Sequence, residues 1–416
     1  MIVTTIPASA FDIMAPEFKR DPYPTYTRLR DEGPGIEVRL PDGRPAWLFT
    51  RYEDVARILK DHDVFSTRSF LGQIDDGPEL APEVQGVYML FNEIMLGKDP
   101  PEHSRLRRLV QKAFTSRMIT GLAPRIRELS DGLLDAVEKR SLETGVREFD
   151  LIADFAFPLP VTIIMDLLGI PLAGRDDIHR WSTALASFDG SIEMARRIAP
   201  EVDAFIDYLT SLVKAKRAAP CDDLLTGLAV TEDDGDQLSE QDLLAMVYVL
   251  IFAGHETTLH LIGNGMRALL TSPDQFARLK ADLSLVPSAV EEMLRFDPSV
   301  EIPRARLALT DTEVGGVALR RGDVVLVAIA STNRDERQFP GANVCDISSS
   351  ANRHLSFGTG IHECIGSALA RLEGQIAIES LLRRMPNLRL AIPDEELLLR
   401  PGGIFLRGLA TLPVHF

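Results

Sequence analysis

Cysteine is scarce in this chain of 416 residues, which has only Cys221, Cys345 and Cys364. Odd in number and far apart, they exclude a disulfide framework and suit a reducing compartment. They are also too few for an iron–sulfur cluster held by four cysteines. Positive charge is in deficit. Against 61 Asp and Glu stand 45 Lys and Arg, a net charge of -16, so no domain-wide basic surface is available for nucleic-acid phosphates. The stretch from Met1 to Met14 lacks a basic start and meets Asp12 early, so neither signal peptide nor membrane anchor is expected and the protein reads as cytoplasmic. No repeat, low-complexity tract or long linker divides the chain, so one unit over 1–416 is expected. No Gly-x-Gly-x-x-Gly after a strand offers a flavin or nicotinamide site.

What is there is an ordinary globular composition, 45% apolar and 25% charged, with helical periodicity dominating. The spacing predicts helices near Tyr26–Arg30, over Tyr52 to Lys60, and from Asp99-Pro-Pro onward, where two prolines open a helix. Further helices are predicted over Ile119 to Glu143, Phe155 to Leu168, Ile178 to Phe188 and Glu193 to Ala215. A hairpin is predicted from Gly35–Leu40 and Ala46–Thr50, and short strands over Leu307–Ala330 and Leu388–Phe416. Phe70 to Gly97, rich in Gly, Pro and acid, reads as a long loop. The expected class is mainly α with a smaller β region.

The longest apolar element runs from Ser239 to Leu270, about 48 Å if it is one helix, and Ser239 with Asp242 forms a capping-box pattern at its start. His255, Glu256, Thr257 and Thr258 interrupt its apolar run, which argues for a core helix with a polar middle and against a membrane span. Buried polar residues cost energy unless partnered, so these are either satisfied locally or functional. A mid-helix threonine such as Thr257 commonly bonds back to the carbonyl four residues earlier, here Ala253.

A second stretch, Phe357-Gly-Thr-Gly-Ile-His-Glu-Cys-Ile-Gly, precedes a helix marked by Ile365, Leu369, Leu372 and Ile376. Cys364 then lies close to a helix N-terminus, where free N–H groups favour a thiolate that can bind a metal or act as a nucleophile. This run resembles the haem-binding signature of the cytochrome P450 family at every fixed position. Ala253-Gly-His-Glu-Thr-Thr is similar to that family's oxygen-binding motif, and Glu292 with Arg295 to its Glu-x-x-Arg core pair.

The resemblance implies a cytochrome P450 fold holding haem b, with Cys364 as axial ligand and Glu256 and Thr257 as a proton-relaying acid–alcohol pair. It further implies His103, Arg107, Arg306 and His354 as donors to the haem propionates, and Ala253, Phe357, Gly358, His362 and Gly366 beside the cofactor. Val249, Phe252, Ala253, Ile302, Phe405 and Leu406 are expected to wall an apolar substrate pocket. The implied reaction is insertion of one atom of O2 into an apolar small molecule, with electrons from a separate ferredoxin and reductase docking near Arg107, Arg108, Lys112, Arg353 and Arg371. A peroxide-using haem–thiolate enzyme and a non-catalytic haem sensor are the rival readings. One position departs from the family pattern. Ser349 stands where an arginine usually meets the Glu-x-x-Arg pair, so another cation, Arg353 or Arg334, is expected at Glu292.

Overall fold

The computed structural model describes residues 13, 15–40, 43–68, 84–188, 190–233, 235–349, 353–400 and 403–416. Helix Glu240–Leu270, referred to below as the central helix, is continuous over 31 residues. Its start is the expected capping box, with the Ser239 hydroxyl accepting from the Asp242 N–H and the Asp242 carboxylate accepting from the Ser239 N–H. Length and apolarity alone would let this helix cross a bilayer, a test the sequence pattern was expected to fail. Burial decides the matter, because 78% of its most apolar window lies inside the protein.

Helices Pro158–Leu168, Val286–Phe296 and Ser367–Arg384 pack directly on the central helix. Close approach depends on missing side chains. A Cβ on Gly254 would stand 3.1 Å from Ile164 Cδ1, and one on Gly265 2.6 Å from Met293 Sδ. Tyr52–Lys60, Glu102–Ala113, Ala123–Thr144, Arg175–Ala186 and Ile192–Ala218 bear out the other predicted helices within a few residues. The expected loop before Gly97 is corrected in part. Gln85–Glu93 is a helix that buries Val87, Tyr88, Leu90 and Phe91, while 69–83 lie outside the described residues.

The smaller β region is a five-stranded sheet in the order Gly35–Arg39, Pro45–Phe49, Val324–Val327, Arg306–Ala308, Phe65–Ser66. The first two strands form the predicted antiparallel hairpin, Ile36 facing Leu48. Near the C-terminus, Pro413–His415 pairs with Arg389–Leu390 and Glu148–Asp150. Sheet and helices are fused through shared apolar packing, with a smaller cluster around Phe49, Val55, Phe65 and Val325.

Arg295 grips Glu292 with two hydrogen bonds of 2.7 and 2.6 Å and spends its remaining donors on the Asn333, Ala342 and Val344 carbonyls. The Asp346 N–H also donates to Glu292, at 2.8 Å. Neither expected cation takes that place. Arg334 lies over the rings of Phe296 and Tyr23 and donates to the Phe296 carbonyl, and Arg353 is exposed.

Glu373 is buried at 1% exposure with Oε2 unpartnered, and burial pushes its carboxyl up to about 8. A group whose folded-state pKa is raised contributes stability below its unfolded value and loses it as pH rises through the folded one. The wild type should therefore lose stability relative to Glu373→Gln between about pH 5 and pH 8, by an amount on the order of 3–5 kcal/mol. Paired thermal melts across that window check this, and a constant difference between the two proteins would refute it.

Candidate active site

Cys364 precedes helix Ser367–Arg384 by three residues, and its N–H donates to the Phe357 carbonyl at 2.8 Å, closing the loop on itself. Gly358 and Gly360 occupy left-handed conformations, with φ 69° and 77°. Gly360 is constrained by the protein itself, since a Cβ there would lie 2.7 Å from the Leu59 carbonyl oxygen. The Cys364 side chain is accessible but sits deep in its recess. Burial pushes the thiol above its ordinary value, opposed by the Gly366 N–H and by Arg107 and Arg371. The helix terminus therefore does not by itself deliver the thiolate expected of it, and ligation to a metal would have to.

Next to this loop the structure gathers His103, His362, Arg304 and Arg306. His103 is buried, with no partner at either ring nitrogen, and its ring stands 4.3 Å from that of His362. His362 Nε2 meets Thr67 Oγ1 at 3.2 Å while Nδ1 is unpartnered. Burial and then Arg107 bring His103 down to about 4, and burial with Arg306 brings His362 down to about 2. Arg306 is buried, donates to the Arg304 carbonyl and is lowered by burial to about 10. Arg304, which sequence reasoning missed, is buried too. It bonds the Thr67 and Phe91 carbonyls, and burial and Arg306 lower it to about 9. Asp99, the carboxylate that offsets these shifts, is already held by Ser66 and Thr67. The imidazoles of His103 and His362, each with an unpartnered ring nitrogen, beside a cysteine and the buried Arg306 fit a group carrying carboxylates and a metal, which is what haem is.

His354 was expected as a propionate donor, and here it is engaged within the protein. Its Nε2 meets Glu291 at 3.2 Å and its Nδ1 accepts from the Ser356 N–H, so both ring nitrogens are engaged within the protein. Glu291 also takes two bonds from Arg371, whose guanidinium lies 4.4 Å over the Phe357 ring. The three side chains brace the cysteine loop from behind. Arg371, expected as a donor-docking cation, belongs to that brace.

The polar middle of the central helix divides between two faces. Val249, Phe252, Ala253 and Thr257 are partly exposed, with Gly254 beside them, between buried residues of the helix, and the four recur at helical spacing. Phe252 stacks on Tyr248. Phe405 and Leu406 are also half-exposed, whereas Ile302, expected on the pocket wall, is fully buried in the core. Gly254 does not widen this face, because its missing side chain makes room for Ile164. Thr257 Oγ1 donates to the Ala253 carbonyl at 2.8 Å, and the Ser299 hydroxyl donates to the Thr257 carbonyl at 2.6 Å.

Glu256 points the other way and is fully buried. It is paired with Arg400, which also donates to Thr183 Oγ1 at 2.5 Å. His255 Nε2 stands 3.4 Å from its Oε1 and His260 Nε2 4.0 Å from its Oε2. Burial alone would raise the carboxyl, but His255, Arg400 and His260 together hold it well below the usual carboxylate range. Arg400 lies 144 positions away in sequence, and no local pattern marks it.

Residues 42–388 match the family described as Cytochrome P450. The chain is 43% identical over 406 residues to Cytochrome P450 107B1 of Saccharopolyspora erythraea, covering 96% of each. To the Vitamin D(3) 25-hydroxylase of Pseudonocardia autotrophica it is 40% identical over 417 residues, covering 100% of this chain and 98% of the relative. Among solved structures, the cytochrome P450 PksS of the Bacillus subtilis 168 bacillaene polyketide synthase superposes with a TM-score of 0.86 at 36% identity, covering 97% of this chain and 99% of the other.

Proposed function

The chain belongs to the cytochrome P450 family, a haem b-containing, O2-using oxidoreductase, and from that premise we propose that it inserts one oxygen atom into an apolar small organic molecule, with electrons from a separate ferredoxin and reductase. The observation that carries this reading is the partly exposed stripe of Val249, Phe252 and Ala253, apolar and ending at Thr257, between buried residues of the central helix. With Phe405 and Leu406 it would receive the substrate by burial of apolar surface, worth roughly 25 cal/mol per Å². Cys364 would hold the haem iron, with Phe357, Gly358 and Gly366 around the ligand. His103, Arg107, Arg306 and His362 would hold the propionates, a role supported by the unpartnered ring nitrogens at His103 and His362. The haem supplies dioxygen binding and O–O cleavage when bound. Thr257 Oγ would orient the protons this needs, and the buried Glu256 would pass them on from the neighbouring face of the helix. The chain acts as one unit over 1–416, in the cytoplasm.

The face near Arg107, Arg108 and Lys112 is the proposed docking site of an acidic ferredoxin. Electron transfer should slow as salt rises, and Arg108→Glu and Lys112→Glu should each reduce it about tenfold at low ionic strength. Stopped-flow reduction over a salt series checks this. Substrate oxidation with a ferredoxin, its reductase and O2 tests the reading as a whole. Turnover with peroxide alone and none with the ferredoxin system would replace it with a peroxide-using enzyme.

A further inference from the structure

The segment that carries Phe405 and Leu406 is fastened to the central helix at two points, the buried acid Glu256 and His260 one turn on. It begins as a short antiparallel ladder, in which the Arg400 N–H donates to the Gly408 carbonyl at 2.9 Å, the Ala410 N–H donates to the Leu398 carbonyl at 2.8 Å, and Leu399 bridges Leu409. At one end of this ladder Arg400 reaches Glu256 Oε2 with one η nitrogen and Thr183 Oγ1 with the other, joining the ladder, the central helix and helix Arg175–Ala186. Directly across the ladder from Arg400, Gly408 lies flat on His260, one turn beyond Glu256. A Cβ on Gly408 would stand 1.8 Å from His260 Nδ1, so the backbone rests directly on the imidazole face. Past this point the chain forms a bridge between Leu406 and Val300, and the Glu301 N–H donates to the Phe405 carbonyl.

We propose that Arg400 is a positioning residue that ties the pocket segment bearing Phe405 and Leu406 to Glu256, so that seating of substrate and delivery of protons are mechanically linked. This rests on the oxygenase reading above. Among the described residues, the charged and titratable groups facing Glu256 are His255 and His260 from its own helix, Arg400 from the ladder, and His179 from helix Arg175–Ala186, whose Thr183 accepts from Arg400. Among them Arg400 is a permanent cation, whereas burial lowers His260 to about 4 and lowers His179 as well, which leaves both neutral near pH 7. Removing the guanidinium would leave a buried carboxylate with only imidazoles around it, and its proton affinity would rise.

Two measurements test the link. In Arg400→Gln the reductant-driven oxygen-consumption rate should change at least threefold between about pH 6 and pH 8.5, while the wild type and Arg400→Lys stay flat. The added pH dependence should vanish in the Arg400→Gln, Glu256→Gln double variant. A flat profile for Arg400→Gln, or a dependence that survives in the double variant, would overturn the proposal. The second measurement needs no turnover. Glu256→Gln should speed hydrogen exchange at the Arg400 and Ala410 amides roughly tenfold, because the ladder loses its anchor. Unchanged exchange also overturns the proposal. If the protein oxidises no substrate at all but exchange rises as expected, the fastening holds and the oxygenase reading fails.

Discussion

Cys364→His is expected to abolish the strongly red-shifted Soret band of the reduced carbon monoxide complex, and Cys364→Ala to abolish it as well. That band reports thiolate ligation, so its loss is all-or-none. The other two cysteines cannot take over. Cys345 is buried and its thiol is pushed up to about 12, first by burial and then by the Glu292 carboxylate, which leaves almost no thiolate at neutral pH. Cys221 is exposed beside helix Leu224–Val230, where its Sγ meets the Ala219 carbonyl. Cys364 is itself raised by burial, so a bond to iron, with help from the Gly366 N–H and from Arg107 and Arg371, would have to hold it deprotonated. Retention of the band in Cys364→Ala would remove the assignment.

The sequence carried the long elements well because they are set locally. The central helix is written in the Ser239–Asp242 box and in a long apolar run on either side of its polar middle, and the Gly35–Phe49 hairpin in alternation around a turn. Gln85–Glu93 was missed because its flanks are rich in Gly, Pro and acid and its apolar residues fill barely two turns. The site was legible where it lies in a contiguous motif. Its closure was not, because charge compensation is a tertiary property. Arg304 stands two residues from Arg306 in the pattern Arg-Ala-Arg, and in extended chain that spacing puts two side chains on one face, so this signal was present and went unused. Arg400 has no such signal. His354 was carried over by resemblance, and only the packing of Glu291 and Arg371 shows that its nitrogens are already committed. The arginine absent at Ser349 was expected to call for Arg353 or Arg334 at Glu292; neither takes that place, and among the described residues the Asp346 backbone amide donates to one carboxylate oxygen.

Thr257→Val is expected to uncouple the reaction, with reductant still consumed but product per electron pair falling roughly tenfold or more and hydrogen peroxide rising in its place. The hydroxyl gives its proton to the Ala253 carbonyl at 2.8 Å, which fixes its rotation and turns its lone pairs outward as an acceptor. A buried threonine bonded back to its own helix is usually inert, but here the side chain is partly exposed at the end of the Val249–Ala253 stripe, so the acceptor opens on the reacting space. An acceptor there can hold a donor such as water in line with the oxygen that must be protonated, and valine keeps the shape while deleting that hold. Folding should survive, since one back-bond contributes only about 1 kcal/mol. Thr257→Ser retains the hydroxyl and should stay largely coupled, which separates the chemistry from a packing effect. Substrate binding, followed by difference spectra, should hardly change in either variant. Full coupling in Thr257→Val would return Thr257 to the role of an ordinary helix threonine bonded to Ala253.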